Sequence, residues 1–418
     1  MITPQATLFL SATTLPVLNW TEDKQARSAL WRSERGALPP KRIALADDTL
    51  SADGAYRMAC EGTGLLWRGD FQNARLLLQA LARRIDKPPK ASKTAKMERK
   101  KVLAQAESGV PSGETFHLYR QAKSQRARVL SMVLIEFAPD YAIALRRAPD
   151  SKQACVEAWG QSNDCGPSVA SLRELMGVIS AHEWRKKGVE IPSLTSSGSA
   201  VAKAAPNNRI YPHYGVFSPV RGEYVNLVAT APLPKIRPAK FVAFDIGTGT
   251  GVLAAVLALR EVDQVVATDQ DERALACAKE NIYKLRLPNP VKVMQADLFP
   301  QGLASVIVCN PPWLPARPGS PLESAVYDEG SRMLLGFIKG LAVHLAPGGE
   351  GWLILSDLAE HLGLRTRSEL LAAIAAGGLK VVARMDVKPE HPKALDASNP
   401  LAEARAKEVT SLWRLAAI

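Results

Sequence analysis

The chain has no uninterrupted apolar segment of membrane-spanning length, about 20 residues, so no transmembrane anchor is expected among its 418 residues. Its opening stretch, MITPQATLFLSATTLPVLNW, lacks a basic region, and Thr, Ser and Pro interrupt its apolar residues. No secretory signal is read there, and a cytoplasmic protein is expected. Cysteine is scarce: Cys60, Cys155, Cys165, Cys277 and Cys309 are odd in number, scattered, and form no Cys-x-x-Cys pair. Neither a zinc site nor a disulfide framework is expected, and no other metal ligand set stands out. Positive charge, by contrast, is plentiful. The formal net charge is +12, and the tract from Lys87 to Arg128 sets eleven Lys/Arg against three Glu, a net of +8. A solvated basic helix fits that composition. So does a salt-sensitive contact with a polyanion such as RNA.

Two breaks divide the sequence. Residues 86–101, DKPPKASKTAKMERKK, read as an exposed connector or partly helical arm, the start of a basic region 86–128. Residues 193–208, SLTSSGSAVAKAAPNN, are Ser/Ala-rich with Gly198 and Pro206 and suit an interdomain linker. Residues 1–192 then form a smaller accessory or substrate-recognition domain, mostly helical or α/β. Helical spacing marks 71–85 through Leu76, Leu77, Ala80, Leu81 and Ile85. The same spacing marks 171–190 through Leu172, Leu175, Met176 and Ile179, while 128–137 is strand-like. From 209 to 418 strands and helices alternate, which predicts a doubly wound α/β sheet. The strands are expected at 241–245, 264–269, 291–295, 305–309, 351–356, 379–387 and 410–417, the last two forming an antiparallel hairpin. Helices fit at 219–229, 251–260, 271–285, 331–346 and 366–376, and LAPGGEG (345–351) reads as a helix stop.

The chemistry sits at the strand ends. FVAFDIGTGTGVLAAVLAL (241–259) is a buried strand, a turn carrying Gly247, Gly249 and Gly251, and an apolar helix. The spacing is G-x-G-x-G, with Asp245 two positions before the first glycine. A carboxylate there repels a diphosphate and suits a ligand with an ammonium group. Asp269, eighteen residues past Gly251, ends the next strand where an acid can accept both ribose hydroxyls, and Asp271 suits the helix cap instead. Asp297 in QADLF can accept from an adenine amino group, with Leu298 or Phe299 flanking the ring. Three acids around a nucleoside that bears an amine and no phosphate point to S-adenosylmethionine.

The fourth strand ends in VIVCNPPWLP (306–315). A planar nitrogen is a poor nucleophile until its lone pair is localised. The Asn310 side-chain oxygen and the Pro311 carbonyl can each accept its N–H, Pro312 constrains that carbonyl, and Trp313 can stack on the flat group. In order and spacing, FDIGTGTGVLA, VVATDQDERALACAKENI, QADLF and VIVCNPPW resemble class I S-adenosylmethionine-dependent methyltransferases, nearest the methyltransferase small domain branch. That branch includes release-factor glutamine N5-methyltransferases and ribosomal RNA guanine-N2 methyltransferases. The resemblance covers about 210–418 and implies a Rossmann-like seven-stranded sheet with an antiparallel last strand. It also implies that Asp245 and the glycines hold the methionine part, Asp269 the ribose, Asp297 the adenine, and Asn310 to Trp313 the target nitrogen. Glutamine methyltransferases tend to carry Pro-Arg-x-Glu-Thr upstream of the cofactor motif. Here Pro219, Arg221 and Glu223 are spaced differently and no Thr follows. The loop after Trp313 reaches a helix entry at Tyr327, Asp328 and Glu329, where Asp328 suits either a cap or a substrate contact.

The expectation is therefore an N-methyltransferase acting on a macromolecule, an rRNA or other nucleic-acid base first and a protein glutamine second. The partner would be RNA or a ribosome-associated protein reached partly through 87–128. A nicotinamide-dependent dehydrogenase fits poorly with Asp245 and the Pro-Pro step. A non-enzymatic docking module would predict damaged acids or a lost Asn310.

Overall fold

A computed structural model of the chain describes residues 15–86, 113–161, 166–195, 207–220, 222–236, 238–389 and 399–418. Most of the basic tract and of segment 193–208 lies outside these residues, as does Arg221. The chain divides into two compact units at the step from Glu183 to Trp184, with the turn ending at Phe116 counted in the second.

The N-terminal unit is α/β rather than mostly helical. It comprises β1 (Val17–Glu22), β2 (Gln25–Arg32), β3 (Arg42–Ala46), α1 (Ala52–Cys60), β4 (Thr63–Trp67), α2 (Phe71–Asp86), α3 (Gly113–Leu130), β5 (Val133–Phe137), α4 (Lys152–Trp159), β6 (Ser168–Ser171) and α5 (Leu172–Lys187). Six strands pair in the order β1-β2-β6-β5-β4-β3. Strands such as QARSALWR escape recognition because only two of their eight residues are buried. The strand-like stretch 128–137 splits into the end of α3 and β5. Along α2 the buried stripe is Phe71, Ala74, Leu77 and Leu81, one step round from the expected face, and Leu76 is exposed.

The C-terminal unit opens with the short pair β7 (Val189–Glu190) and β8 (Arg209–Ile210), which bond to each other across the expected linker. It continues with α6 (Glu223–Thr230), β9 (Val242–Ile246), α7 (Val252–Ala258), β10 (Gln264–Asp269), α8 (Glu272–Leu285), β11 (Val291–Gln295), β12 (Ala304–Cys309), α9 (Pro321–Ser324) and α10 (Arg332–His344). The remainder is β13 (Leu345–Ser356), α11 (Leu358–His361), α12 (Arg367–Ala376), β14 (Leu379–Val387), α13 (Ala402–Lys407) and β15 (Thr410–Ala417). Its sheet has seven strands in the order β11-β10-β9-β12-β13-β15-β14, with β15 antiparallel to both neighbours. This is the doubly wound arrangement with a terminal antiparallel hairpin that the strand–helix rhythm predicts.

Every residue of α7, VLAAVLA, is buried, because one side faces the sheet and the other is covered by α6 and α8. Each fully buried Val or Leu there contributes about 1.5–3 kcal/mol. The glycines of LAPGGEG lie inside β13 rather than beyond it. Pairing with β12 jumps from Ala304–Leu345 to Val306–Glu350, so the extra residues are absorbed as an irregularity in the strand.

Candidate functional site

Three adjacent strands end in register. Ile246 on β9 pairs with Thr268 on β10 and with Cys309 on β12. The chain then leaves the sheet at Gly247, Asp269 and Asn310 along one edge, the carboxyl edge where α/β sheets bind ligands. Asp269 also pairs with Gln295 on β11, which brings Asp297 and Leu298 to the same edge.

The glycine-rich turn is tied down on both sides. The Thr248 N–H donates to the Thr268 carbonyl at 2.8 Å, and the Gly249 N–H to Asp269 Oδ2 at 3.0 Å. Gly251 has φ +81°, and a Cβ there would stand 3.2 Å from the Ala278 Cα, so a side chain is excluded by conformation and by space. Asp245 is 1% exposed. Its Oδ2 accepts from the Thr248 hydroxyl at 2.6 Å and the Ala254 N–H at 2.9 Å, tying the turn to α7. Among the described residues its Oδ1 accepts no hydrogen bond and no cation pairs with it. Burial pushes this carboxyl up to about 7, against the lowering effect of the Thr248 and Ala254 bonds.

Asp269 is raised by burial as well. Its Oδ1 accepts the Asp271 N–H at 3.0 Å. A carboxylate offers about four acceptor positions, so room remains for hydroxyls. Asp271 caps α8 by accepting the Arg273 N–H at 2.9 Å, the role the sequence assigned to it. Asp297 is exposed, accepts from the Gln270 amide, and lies 3.6 Å from Arg332. Leu298 has φ +69°, uncommon for a residue with a side chain, and its carbonyl is held by the Thr268 hydroxyl at 2.6 Å. Phe299 stacks on Phe337 and His344 at 5.7 and 4.3 Å, so its ring belongs to the core and Leu298 is the residue left to flank a ligand.

At the end of β12, Pro311 is buried and Asn310 and Pro312 are half-buried. The Trp313 indole N–H donates to Asn310 Oδ1 at 2.9 Å, and its ring packs against both core clusters of the unit. Trp313 thus fixes the Asn310 amide, a role the stacking argument did not contain. The amide oxygen keeps a second lone pair. Beyond it, Leu314 and Tyr327 bridge to close the loop between them. Asp328 accepts the N–H groups of Met333 and Leu334 at 2.8 and 3.4 Å, so it caps the start of α10.

Two polar atoms here escaped the sequence reading. Ser218 Oγ and Glu223 Oε1 are buried and have no hydrogen-bond partner among the described residues. Buried Tyr224, next to Glu223 in sequence, is raised by burial first and then by the Asp245 and Glu223 carboxylates. The available signal was the departed Pro-x-Arg-x-Glu spacing.

Comparison with known proteins places this geometry. Residues 207–366 match the family model for the methyltransferase small domain. The release factor glutamine methyltransferase of Caulobacter vibrioides is 31% identical over 172 residues, 38% of this chain and 59% of that protein. The tRNA1(Val) (adenine(37)-N6)-methyltransferase of Tolumonas auensis is 30% identical over 166 residues, 38% of this chain and 66% of that protein. The ribosomal protein L11 methyltransferase of Chelativorans sp. is 31% identical over 138 residues, 33% of this chain and 41% of that protein. The chain thus spans less than two thirds of these relatives. The C-terminal unit has the class I methyltransferase fold, and its residues 207–366 match the methyltransferase small domain.

Proposed function

We propose that the protein is an S-adenosylmethionine-dependent N-methyltransferase acting on a planar nitrogen of a macromolecule, with an RNA base as acceptor. The observation that carries this reading is the register of β9, β10 and β12, which starts the glycine-rich turn, Asp269 and Asn310 side by side. The residues fit the cofactor. Asp245 is a buried carboxyl with no cation beside it among the described residues, suited to an ammonium group, and Ser218 and Glu223 present further buried acceptors. Asp269 is the ribose acceptor, Asp297 the adenine acceptor, and Leu298 the flank of the ring.

When bound, S-adenosylmethionine supplies a methyl group on a sulfonium, which departs as a neutral thioether. Asn310 Oδ1 and the Pro311 carbonyl accept the N–H bonds of the target, which draws its lone pair out of conjugation and toward the methyl. Bound there, the cofactor would supply the methyl to the nitrogen so held, and the proton the nitrogen gives up would leave to water. Trp313 holds Asn310 in the accepting orientation and bounds the flat target.

The basic tract favours RNA. Its described part continues along α3 with Arg120, Lys123, Arg126 and Arg128, of which Arg126 is engaged by Asp86 at 2.7 Å. A protein glutamine is the second reading, favoured by the activity for which the Caulobacter relative is named. Calorimetry with S-adenosylmethionine tests the cofactor: absence of binding overturns the reading. Transfer of tritiated methyl into fractionated lysate tests the acceptor, because ribonuclease-sensitive label means a base and protease-sensitive label a glutamine.

A further inference from the structure

The glycine-rich turn and segment 211–220 are bonded to one side chain. Asn281, on α8, is fully buried. Its Oδ1 accepts the Tyr211 N–H at 2.8 Å. Its Nδ2 donates to the Thr250 carbonyl at 3.0 Å and lies 3.4 Å from the Tyr211 carbonyl. Segment 211–220 has other holds on α8. The His213 N–H reaches Cys277 Sγ at 3.4 Å, His213 Nε2 meets Glu280 at 2.6 Å, and Val216 packs on Ala274 and Cys277. The partners in those contacts all lie on α8. Asn281 bonds to the segment and to the turn together, next to Gly251, which already presses on Ala278.

The chemistry requires an amide. The Thr250 carbonyl needs a donor and the Tyr211 N–H an acceptor, and of side chains this size only Asn offers both. We infer that Asn281 is a positioning residue: it fixes the spacing of the glycine-rich turn and segment 211–220, and so sets the affinity for S-adenosylmethionine without touching it. The inference rests on the cofactor reading above. The Asn281 amide is spent on the two backbone segments, at Tyr211 and at Thr250, so its effect runs through them.

Asn281→Asp in the full chain keeps the size and the acceptor but sets a carboxylate against the Thr250 carbonyl. Calorimetry should show S-adenosylmethionine binding about tenfold weaker. Hydrogen exchange of the ligand-free protein should accelerate together at 209–216 and 249–251 and stay unchanged at 291–295, a coupling that general destabilisation does not produce. Unchanged affinity, or acceleration in one segment alone, overturns the inference. Should this variant not fold, Tyr211→Pro, which deletes the N–H from the other side, must also accelerate exchange at 249–251; unchanged exchange there overturns it equally. If the wild-type protein binds no S-adenosylmethionine, the cofactor reading fails, and the exchange measurement still decides whether Asn281 couples the two segments.

Discussion

Asp70 in the N-terminal unit and Asp245 in the C-terminal unit are both buried carboxyls, and their surroundings push them in opposite directions. Arg147 and Arg146 reach Asp70 Oδ2 at 2.7 and 2.8 Å, and the Gln72 N–H reaches Oδ1 at 2.8 Å. The Arg147 hydrogen bond leads in holding Asp70 down to about 2. Asp245 has no cation, and burial holds it up near 7. The sheets around them share a pattern. β3-β4-β5-β6 and β9-β12-β13-β15 each run parallel, parallel, antiparallel. Around Asp70 the chain satisfies itself: Asp48 accepts the Asp70 N–H at 3.0 Å, and Arg68 pairs with Glu22 and Glu136 at 2.6 and 2.8 Å, although Arg32 Nε and Trp159 Nε1 of the same unit are buried without a hydrogen-bond partner among the described residues. At the C-terminal edge a carboxyl, an amide and two buried oxygens keep bonding capacity. The sheet pattern does not carry function. The proposed function rests instead on the unspent polar groups around Asp245 and Asn310.

The hardest test of that contrast is Asn310→Ala. Methyl transfer should fall by about a hundredfold or more, with S-adenosylmethionine affinity within about twofold of wild type by calorimetry. Full transfer by this variant removes Asn310 from the chemistry. Next in size is the pH response of Asp245. Because its folded pKa is raised, its contribution to the stability of the ligand-free protein is full below about 4 and is lost as pH rises through about 7. An ammonium partner reverses the preference. Cofactor affinity should therefore drop about tenfold per pH unit below 7, and Asp245→Asn should abolish that slope. A flat profile in the wild type means the ammonium group binds elsewhere.

Much of the C-terminal unit was legible in the sequence. β10, β11, β14 and β15 begin and end where patterning put them, although only β10 and β15 carry buried runs, β11 having no buried residue and β14 only Leu379. The N-terminal strands were not legible. β1 and β2 alternate buried and exposed residues only partly, and β6 is four residues long. At the candidate site, residue types and spacing singled out Asp269 and Asn310, but not what already bonds to them. The Gly249 N–H on Asp269 and the Trp313 indole on Asn310 are consequences of register and rotamer, which spacing does not encode. Phe299 fell to the core for the same reason, its ring matched to Phe337 and His344 across α10.

Trp313→Phe sharpens the comparison at the functional edge. It keeps a ring against both core clusters and deletes the N–H on Asn310. If the indole fixes the amide, turnover should fall about five- to tenfold while cofactor affinity holds. Undiminished turnover with a weaker acceptor KM would leave Trp313 as a stacking surface alone.

The smallest expected effect on the site comes from the other unit. Asp70 is depressed in the folded state, so its stabilisation is present above about 4 and is lost as pH falls through about 2. Asp70→Asn leaves Arg146 and Arg147 without their carboxylate. Its thermal midpoint should be lower at neutral pH, by a few degrees, and should lack the wild-type decline on acidification. Cofactor affinity should stay within about twofold of wild type, since no hydrogen bond of Asp70 reaches the edge that carries Asp245. A loss of affinity in this variant would mean that the N-terminal carboxyl, satisfied by its own arginines, nonetheless contributes to the cofactor site, and the division between a self-neutralised edge and an open one would fail.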